Sequence, residues 1–250
     1  MSGTVYLVGA GPGAADLLTL RAARLLGEAG IVFHDALVPS DVLSLIRGEK
    51  VAVGKRCGRH STAQRFINKR LADAARAHPV VVRLKGGDPM LFGRAHEEIS
   101  YLRSQGIRVE VVPGVTAALA ASADLAISLT QRGLARTVVF ATPRAAPGEA
   151  PNEWIGSVLA ADTAAIYMGA GDAAAISGGL IDAGKPPGTP VAVIENASRR
   201  DARTRYGTLR ELPALAAQLG QGPAVILLGE VLAEASAAAR RATPRRAQAR

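Results

Sequence analysis

Cysteine is nearly absent from this 250-residue chain: Cys57 stands alone, which excludes an intrachain disulfide framework. Aromatic residues are sparse at 4%, so the core must be built from Ala, Val, Leu and Ile, and an apolar content of 48% supplies enough of them. No apolar run is long enough to span a bilayer, and the first residues lack a signal-peptide pattern. The expectation is a cytoplasmic protein without membrane association. The four histidines, His34, His60, His78 and His96, lack zinc-ligand spacing, so no metal site is expected. Acids are in deficit, at 21 against 30 Lys and Arg. Five arginines and no acid fall in residues 240–250; without them the formal charge drops from +9 to +4. That tail reads as disordered and solvated rather than as a nucleic-acid surface, because no aromatic side chains are interleaved with its charges. The remaining excess favours an acidic ligand.

What the chain does contain is an alternation of short apolar runs with helical patterns. Strands are predicted at 4–8, 31–33, 51–53, 80–84 and 109–112, and helices at 16–29, 38–46, 61–77 and 97–104. Such alternation implies parallel pairing and an α/β fold. An alanine-rich helix at 117–125 and a polar connector at 128–136 precede a second set. Its strands are predicted at 137–141, 163–168, 190–195, 205–208 and 224–230, with helices at 155–160, 172–183 and 209–219. The expected architecture is two α/β domains, 1–130 and 131–235, with a ligand cleft between them and a basic tail over 236–250. One continuous domain is the alternative.

Glycine concentrates at predicted strand ends: Gly9-Ala10-Gly11-Pro12-Gly13, Gly54-Lys55, Gly86-Gly87-Asp88 and Gly114-Val115-Thr116-Ala117. Ligands of parallel sheets bind at the carboxyl ends of strands. Gly9, Gly11 and Ala14 fit the dinucleotide fingerprint, and Asp35 ends the next strand where a ribose-binding acid would sit, so an NAD(P)-dependent oxidoreductase is a rival reading. Against it, Pro12 has no N–H to offer a diphosphate. A ligand without phosphates, held by backbone groups, suits this set of loops better. Arg83 and Arg94 bracket the third loop, which suggests a small molecule and an anion side by side.

Five motifs occur in order: Gly9 to Gly13, Val53-Gly54-Lys55-Arg56, the run from Arg83 to Arg94, Val112-Pro113-Gly114-Val115-Thr116, and Tyr167-Met168-Gly169. With them the chain, over residues 4–233, resembles the uroporphyrinogen-III C-methyltransferases of the tetrapyrrole methyltransferase superfamily. The resemblance implies transfer of the methyl group of S-adenosyl-L-methionine (SAM) to two ring carbons, C2 and C7, of uroporphyrinogen III, giving precorrin-2 and S-adenosylhomocysteine. It implies a homodimer, no metal, and a product leading to sirohaem, cobalamin or haem d1. Matched residue by residue, Asp35 is the proton acceptor, Lys55 the proton donor, and Arg94 belongs to the catalytic set. The SAM contacts implied are Pro12, Gly86, Gly87, Asp88, Leu91, Thr116, Ala117, Met168 and Ala197. The substrate contacts implied are Arg94, Glu97, Arg132, Tyr167 and Met168. Without the resemblance, Asp35 is a helix-start carboxylate, Lys55 a solvent-facing lysine, Asp88 a turn residue, Met168 core packing, and Arg94, Glu97 and Arg132 surface ion pairs.

The chain departs from the family pattern at His34, Ala36, Ala95, His96, Gln131 and Arg144, and these positions bear on which tetrapyrrole is used. Methylation of another precorrin is therefore an alternative. The domain that adds dehydrogenation and iron insertion in fused members is not seen in the sequence, so methylation alone is expected.

Overall fold

The computed structural model describes residues 2–53, 64–145 and 153–242. The chain divides into two compact units, Met1–Ala117 and Ala118–Arg250. The boundary expected at 130 therefore falls inside the second unit.

In the first unit, five strands form one all-parallel sheet: β1 (Thr4–Gly9), β2 (Ile31–His34), β3 (Glu49–Ala52), β4 (Val80–Lys85) and β5 (Arg108–Val112), in the order β3-β2-β4-β1-β5. Helix α1 (Leu20–Glu28) covers one face with Ala22, Leu25 and Leu26. Helices α3 (Gln64–Ala77) and α4 (Ala95–Ser104) cover the other with Ile67, Leu71 and Leu102. Because both faces are buried at the centre of the sheet, β1, β2 and β4 contain continuous apolar runs rather than alternating ones, whereas the edge strands β3 and β5 carry charged residues. The predicted helix at 16–29 starts late, because Thr19 caps α1 by accepting from the Ala22 amide at 3.2 Å. The predicted helix at 38–46 shrinks to the short α2 (Ser40–Leu43).

The chain leaves β1 toward the α1 face and leaves β4 toward the α4 face. These adjacent strands thus form the topological switch point of the sheet. Here the loops are knitted backbone to backbone. The Gly11 amide donates to the Gly87 carbonyl at 3.2 Å, the Gly87 amide returns a bond to the Gly11 carbonyl at 2.7 Å, and the Ala10 amide donates to the Lys85 carbonyl at 2.7 Å. Gly11 and Gly87 are left-handed, at φ +71° and +67°. A Cβ on Gly114, after β5, would lie 2.4 Å from the Gly87 carbonyl oxygen and 2.9 Å from the Gly9 Cα.

The second unit holds β6 (Val138–Ala141), β7 (Thr163–Tyr167), β8 (Pro190–Glu195), β9 (Arg203–Thr208) and β10 (Ala224–Gly229), in the order β6-β7-β10-β8-β9. Only β6 and β7 are parallel; the other pairs are antiparallel, so the expectation of parallel pairing does not extend to this unit. The link between β8 and β9, residues 196–202, is too short for a parallel crossover. Helices α6 (Trp154–Ala160), α7 (Ala173–Asp182) and α8 (Leu212–Ala216) share one core face with Ile166, Val191, Val193 and Ile226. The start of the expected disordered tail is instead ordered: residues 236–242 belong to α9 (Ala233–Ala242), which packs on β8 and β9.

The glycine contacts yield a prediction of opposite signs. Gly114→Ala is expected to lower stability by about 1–3 kcal/mol, since the atoms a methyl would strike are backbone. Gly27→Ala, inside α1 with nothing within 4 Å, is expected to raise it by about 0.5–1 kcal/mol. Urea unfolding midpoints decide, and a neutral Gly114→Ala would contradict the close approach.

Candidate active site

The loop after β4 is fastened from within. Asp88 Oδ1 accepts from the Met90 amide at 2.8 Å and Oδ2 from the Gly114 amide at 2.9 Å, so its carboxylate ties the β4 loop to the β5 loop. Both oxygens are thereby engaged, which places Asp88 in the frame of the site. Gly86 is open, with only Leu37 near the position of a Cβ, and Leu37, Met90 and Phe92 are exposed apolar side chains. Leu91 closes a turn on Asp88 through its amide at 3.3 Å. Thr116 is buried, and Ala117 opens α5 (Ala117–Asp124).

Below this loop lies a buried charged network that the sequence reading missed. In β4, Val82 and Leu84 face the α1 core, so Arg83 and Lys85 face α3 and α4. Glu98 of α4, fully buried, accepts from Arg83 Nε at 3.0 Å, from Lys85 Nζ at 3.1 Å and from Gln64 Nε2 of α3 at 3.0 Å. Gln64 also donates to Asn68 Oδ1 at 3.0 Å. The Arg83 guanidinium continues outward: Nη1 donates to the Leu84 carbonyl at 3.1 Å and the Phe33 carbonyl at 3.5 Å, and Nη2 to Asp35 Oδ1 at 2.5 Å. The Asp35 side chain, 28% exposed, is the partly exposed end of this charged set. Burial alone disfavours the Arg83 charge, yet Asp35 and Glu98 hold its pKa above the ordinary value. Lys85 is pushed below its ordinary value, first by burial and then by the neighbouring Arg83 charge.

Arg94 adopts φ +56° at the N-cap of α4 and grips Glu97 with both arms of its fork, Nε to Oε1 and Nη2 to Oε2, each at 2.7 Å. The two side chains are 59% and 47% exposed, so as a stability element this pair is worth about 0–1 kcal/mol. The bond to Arg94 holds the Glu97 carboxyl below its ordinary range.

In the second unit, β7 and β8 flank β10 and end on the same sheet edge. Tyr167 Oη accepts from the Ala118 amide at 3.0 Å, and its ring stacks edge-on against Phe140 at 6.1 Å. Met168 follows at φ +57° and is 40% exposed. Ala197 is buried between two left-handed residues, Asn196 at φ +54° and Ser198 at φ +67°. Asp124, at the end of α5, accepts from the Ser198 amide at 2.6 Å. Tyr167, Met168 and Ala197 thus gather at one edge. Arg132 is exposed in the turn closed by Gln131 and Ala135. Lys55 lies outside the described residues.

The profile of the family described as Tetrapyrrole (Corrin/Porphyrin) Methylases matches residues 4–213. The chain belongs to the tetrapyrrole methylase family. It is 47% identical over 233 residues to siroheme synthase 1 of Klebsiella pneumoniae, a match covering 92% of this chain and 49% of that protein. It is 44% identical over 234 residues to the siroheme synthase of Chromobacterium violaceum, covering 92% and 50%. The chain therefore spans about half the length of the curated relatives it matches. Among solved structures, the uroporphyrin-III C-methyl transferase from Thermus thermophilus complexed with S-adenyl homocysteine is 42% identical with a TM-score of 0.82, covering 93% of this chain and 100% of that one.

Family membership removes the dinucleotide reading, and the geometry explains why its fingerprint misled. Gly11, its second glycine, spends its amide on Gly87, and β1 sits between β4 and β5 rather than beside β2. The missed residues carried a signal. Arg83 and Lys85 share parity in a strand whose other residues are apolar, so a buried counter-charge was required.

Adjacent glutamates should therefore behave differently. Glu98→Ala leaves the buried Lys85 without its carboxylate and Arg83 with Asp35 alone, and is expected to cost about 3–5 kcal/mol. Glu97→Ala is expected to cost under about 1 kcal/mol. The Glu97 contribution is fully present above the ordinary carboxylate value and is lost as pH falls through its depressed folded value, so that deficit should fade in acid. Urea unfolding at neutral and acid pH measures both; equal costs would contradict the assignment.

Proposed function

We propose that the chain is a SAM-dependent methyltransferase that adds methyl groups at C2 and C7 of uroporphyrinogen III, giving precorrin-2 and S-adenosylhomocysteine. The observation that carries the reading is the match to the Thermus thermophilus enzyme over the whole of that chain. The residues present fit the donor. Its adenine ring and carbon chain need apolar surface beside open backbone, and Gly86 with Leu37, Met90 and Phe92 supplies both. Pro12, Gly87, Leu91, Thr116 and Ala117 extend that contact set, and Met168 and Ala197 offer backbone in left-handed segments. Asp88 serves by fixing the loop.

When bound, SAM supplies a methyl group already activated on a sulfonium. The protein's tasks are then to align the attacking carbon, which is fully substituted and has no hydrogen of its own to lose, and to take the proton that the macrocycle must release elsewhere as its double bonds rearrange. Asp35 is the acceptor in this reading. Among the described residues its Oδ1 holds the Arg83 bond and its Oδ2 holds none. Lys55 is the proposed donor. The substrate's carboxylates call for arginine forks. Arg94 presents one already shaped to a carboxylate, and a substrate carboxylate can take the place of Glu97 because the exposed pair is weak while a charge-assisted bond is worth about 1.5–3 kcal/mol. Arg132 and Tyr167 complete the proposed substrate set. We further propose a homodimer; among the described residues no helix is long and apolar enough to cross a membrane.

The cobalt precorrin-4 methyltransferase structure is also similar, at a TM-score of 0.80, but its 28% identity against 42% for the uroporphyrin-III enzyme does not favour a precorrin as the substrate. Incubation with uroporphyrinogen III and SAM, followed by mass spectrometry, is expected to show two methyl groups on the macrocycle. Asp35→Asn is expected to slow turnover by roughly 10²–10⁴-fold. No methyl gain would overturn the substrate, and an unchanged Asp35→Asn rate would remove Asp35 from the chemistry.

A further inference from the structure

We propose that Glu98 is a positioning residue for Asp35 and acts through the Arg83 guanidinium; the inference rests on Asp35 being the proton acceptor. Glu98 lies on α4 and Asp35 follows β2, and no bond joins them directly. Arg83 spans the gap. Every nitrogen of its fork is in use: Nε on Glu98, Nη1 on the Leu84 and Phe33 carbonyls, Nη2 on Asp35. A planar group bonded on three sides has one orientation, so the direction from which Nη2 meets Asp35 is set at the Glu98 end. The Asp35 main chain is held by the same strand, its amide donating to the Leu84 carbonyl at 3.2 Å. Backbone and carboxylate of Asp35 are thus fixed against β4 together.

Stability does not account for this arrangement. Two acids and two bases form the set, and Arg83, Lys85 and Glu98 are 3%, 4% and 0% exposed. Burying such ions costs as much as their pairing returns, and apolar residues of similar volume would serve the core equally well. The set leads instead to one partly exposed carboxylate, the group the chemistry requires. Gln64 and Lys85 complete the Glu98 shell and prevent it from turning away from Arg83.

A kinetic double-mutant cycle tests this. Methyl transfer from labelled SAM to uroporphyrinogen III is measured for wild type, Asp35→Asn, Glu98→Gln and the double variant, with circular dichroism reporting folding. Glu98→Gln is expected to lower kcat at least about tenfold, as small misplacements do, with KM for both substrates near wild type. Added to Asp35→Asn, it is expected to change kcat by less than about twofold, because its effect runs through Asp35. Multiplicative losses would overturn the proposal, since a purely structural role predicts them. Arg83→Lys gives the same test if Glu98→Gln does not fold: the charge remains, but one ammonium cannot reproduce the fork, and the same non-additivity is expected. An inactive wild type overturns the reaction assignment and this inference with it, whereas an active wild type with multiplicative losses overturns this inference alone.

Discussion

The parity of β4 is the constraint from which the first unit's chemistry follows. A parallel strand buried on both faces has no solvent side to which a charged residue can turn. Arg83 and Lys85 therefore enter the α3 and α4 layer, where Glu98 must meet them. That requirement fixes the face α4 presents, brings Gln64 of α3 to the same carboxylate, and directs the remaining arm of Arg83 to the end of β2. A one-residue shift of β4 would exchange these cations with Val82 and Leu84 and place both charges in the α1 core.

Above this layer the frame is built from backbone rather than side chains. Gly9 and Gly114 let strand-end loops approach more closely than any Cβ permits, Gly11 and Gly87 supply left-handed turns, and Asp88 locks the β4 and β5 loops together. The groups left accessible are apolar side chains, an open Gly86 and the Arg94–Glu97 pair. A rigid polar interior thus carries a compliant, exchangeable surface. That division suits the proposed reaction, which aligns a reacting carbon while admitting a large acidic substrate.

The sequence made most strands legible because they contain apolar runs bounded by glycine or a polar turn, whereas β9, Arg203–Thr208, is largely polar. Helix starts were harder: the pattern at 16–29 is continuous, and only the Thr19 cap reveals where α1 begins. The antiparallel second sheet could have been anticipated from the short link at 196–202, but strand–helix alternation masked it. Motif order pointed to the family, yet it assigned the glycines and Asp88 to a ligand when much of their work is mutual. The shared parity of Arg83 and Lys85 called for a buried counter-charge, but that Glu98 supplies it depends on how α4 packs on β4, which no local pattern encodes. The Arg94–Glu97 pair was named for its substrate role and is, without substrate, an ion pair with itself.

In the proposal made for Glu98, the buried charges serve Asp35 rather than the stability of the fold. Replacing Arg83, Lys85 and Glu98 together by methionine, leucine and leucine tests it most directly, because no fully buried charge is left stranded and Asp35, 28% exposed, keeps access to water. The measurement is the ratio of turnover to stability in this triple variant. The account predicts an unfolding free energy equal to wild type or higher by about 1–4 kcal/mol, with methyl transfer reduced by roughly 10²-fold or more. A triple variant that methylates at the wild-type rate would contradict it.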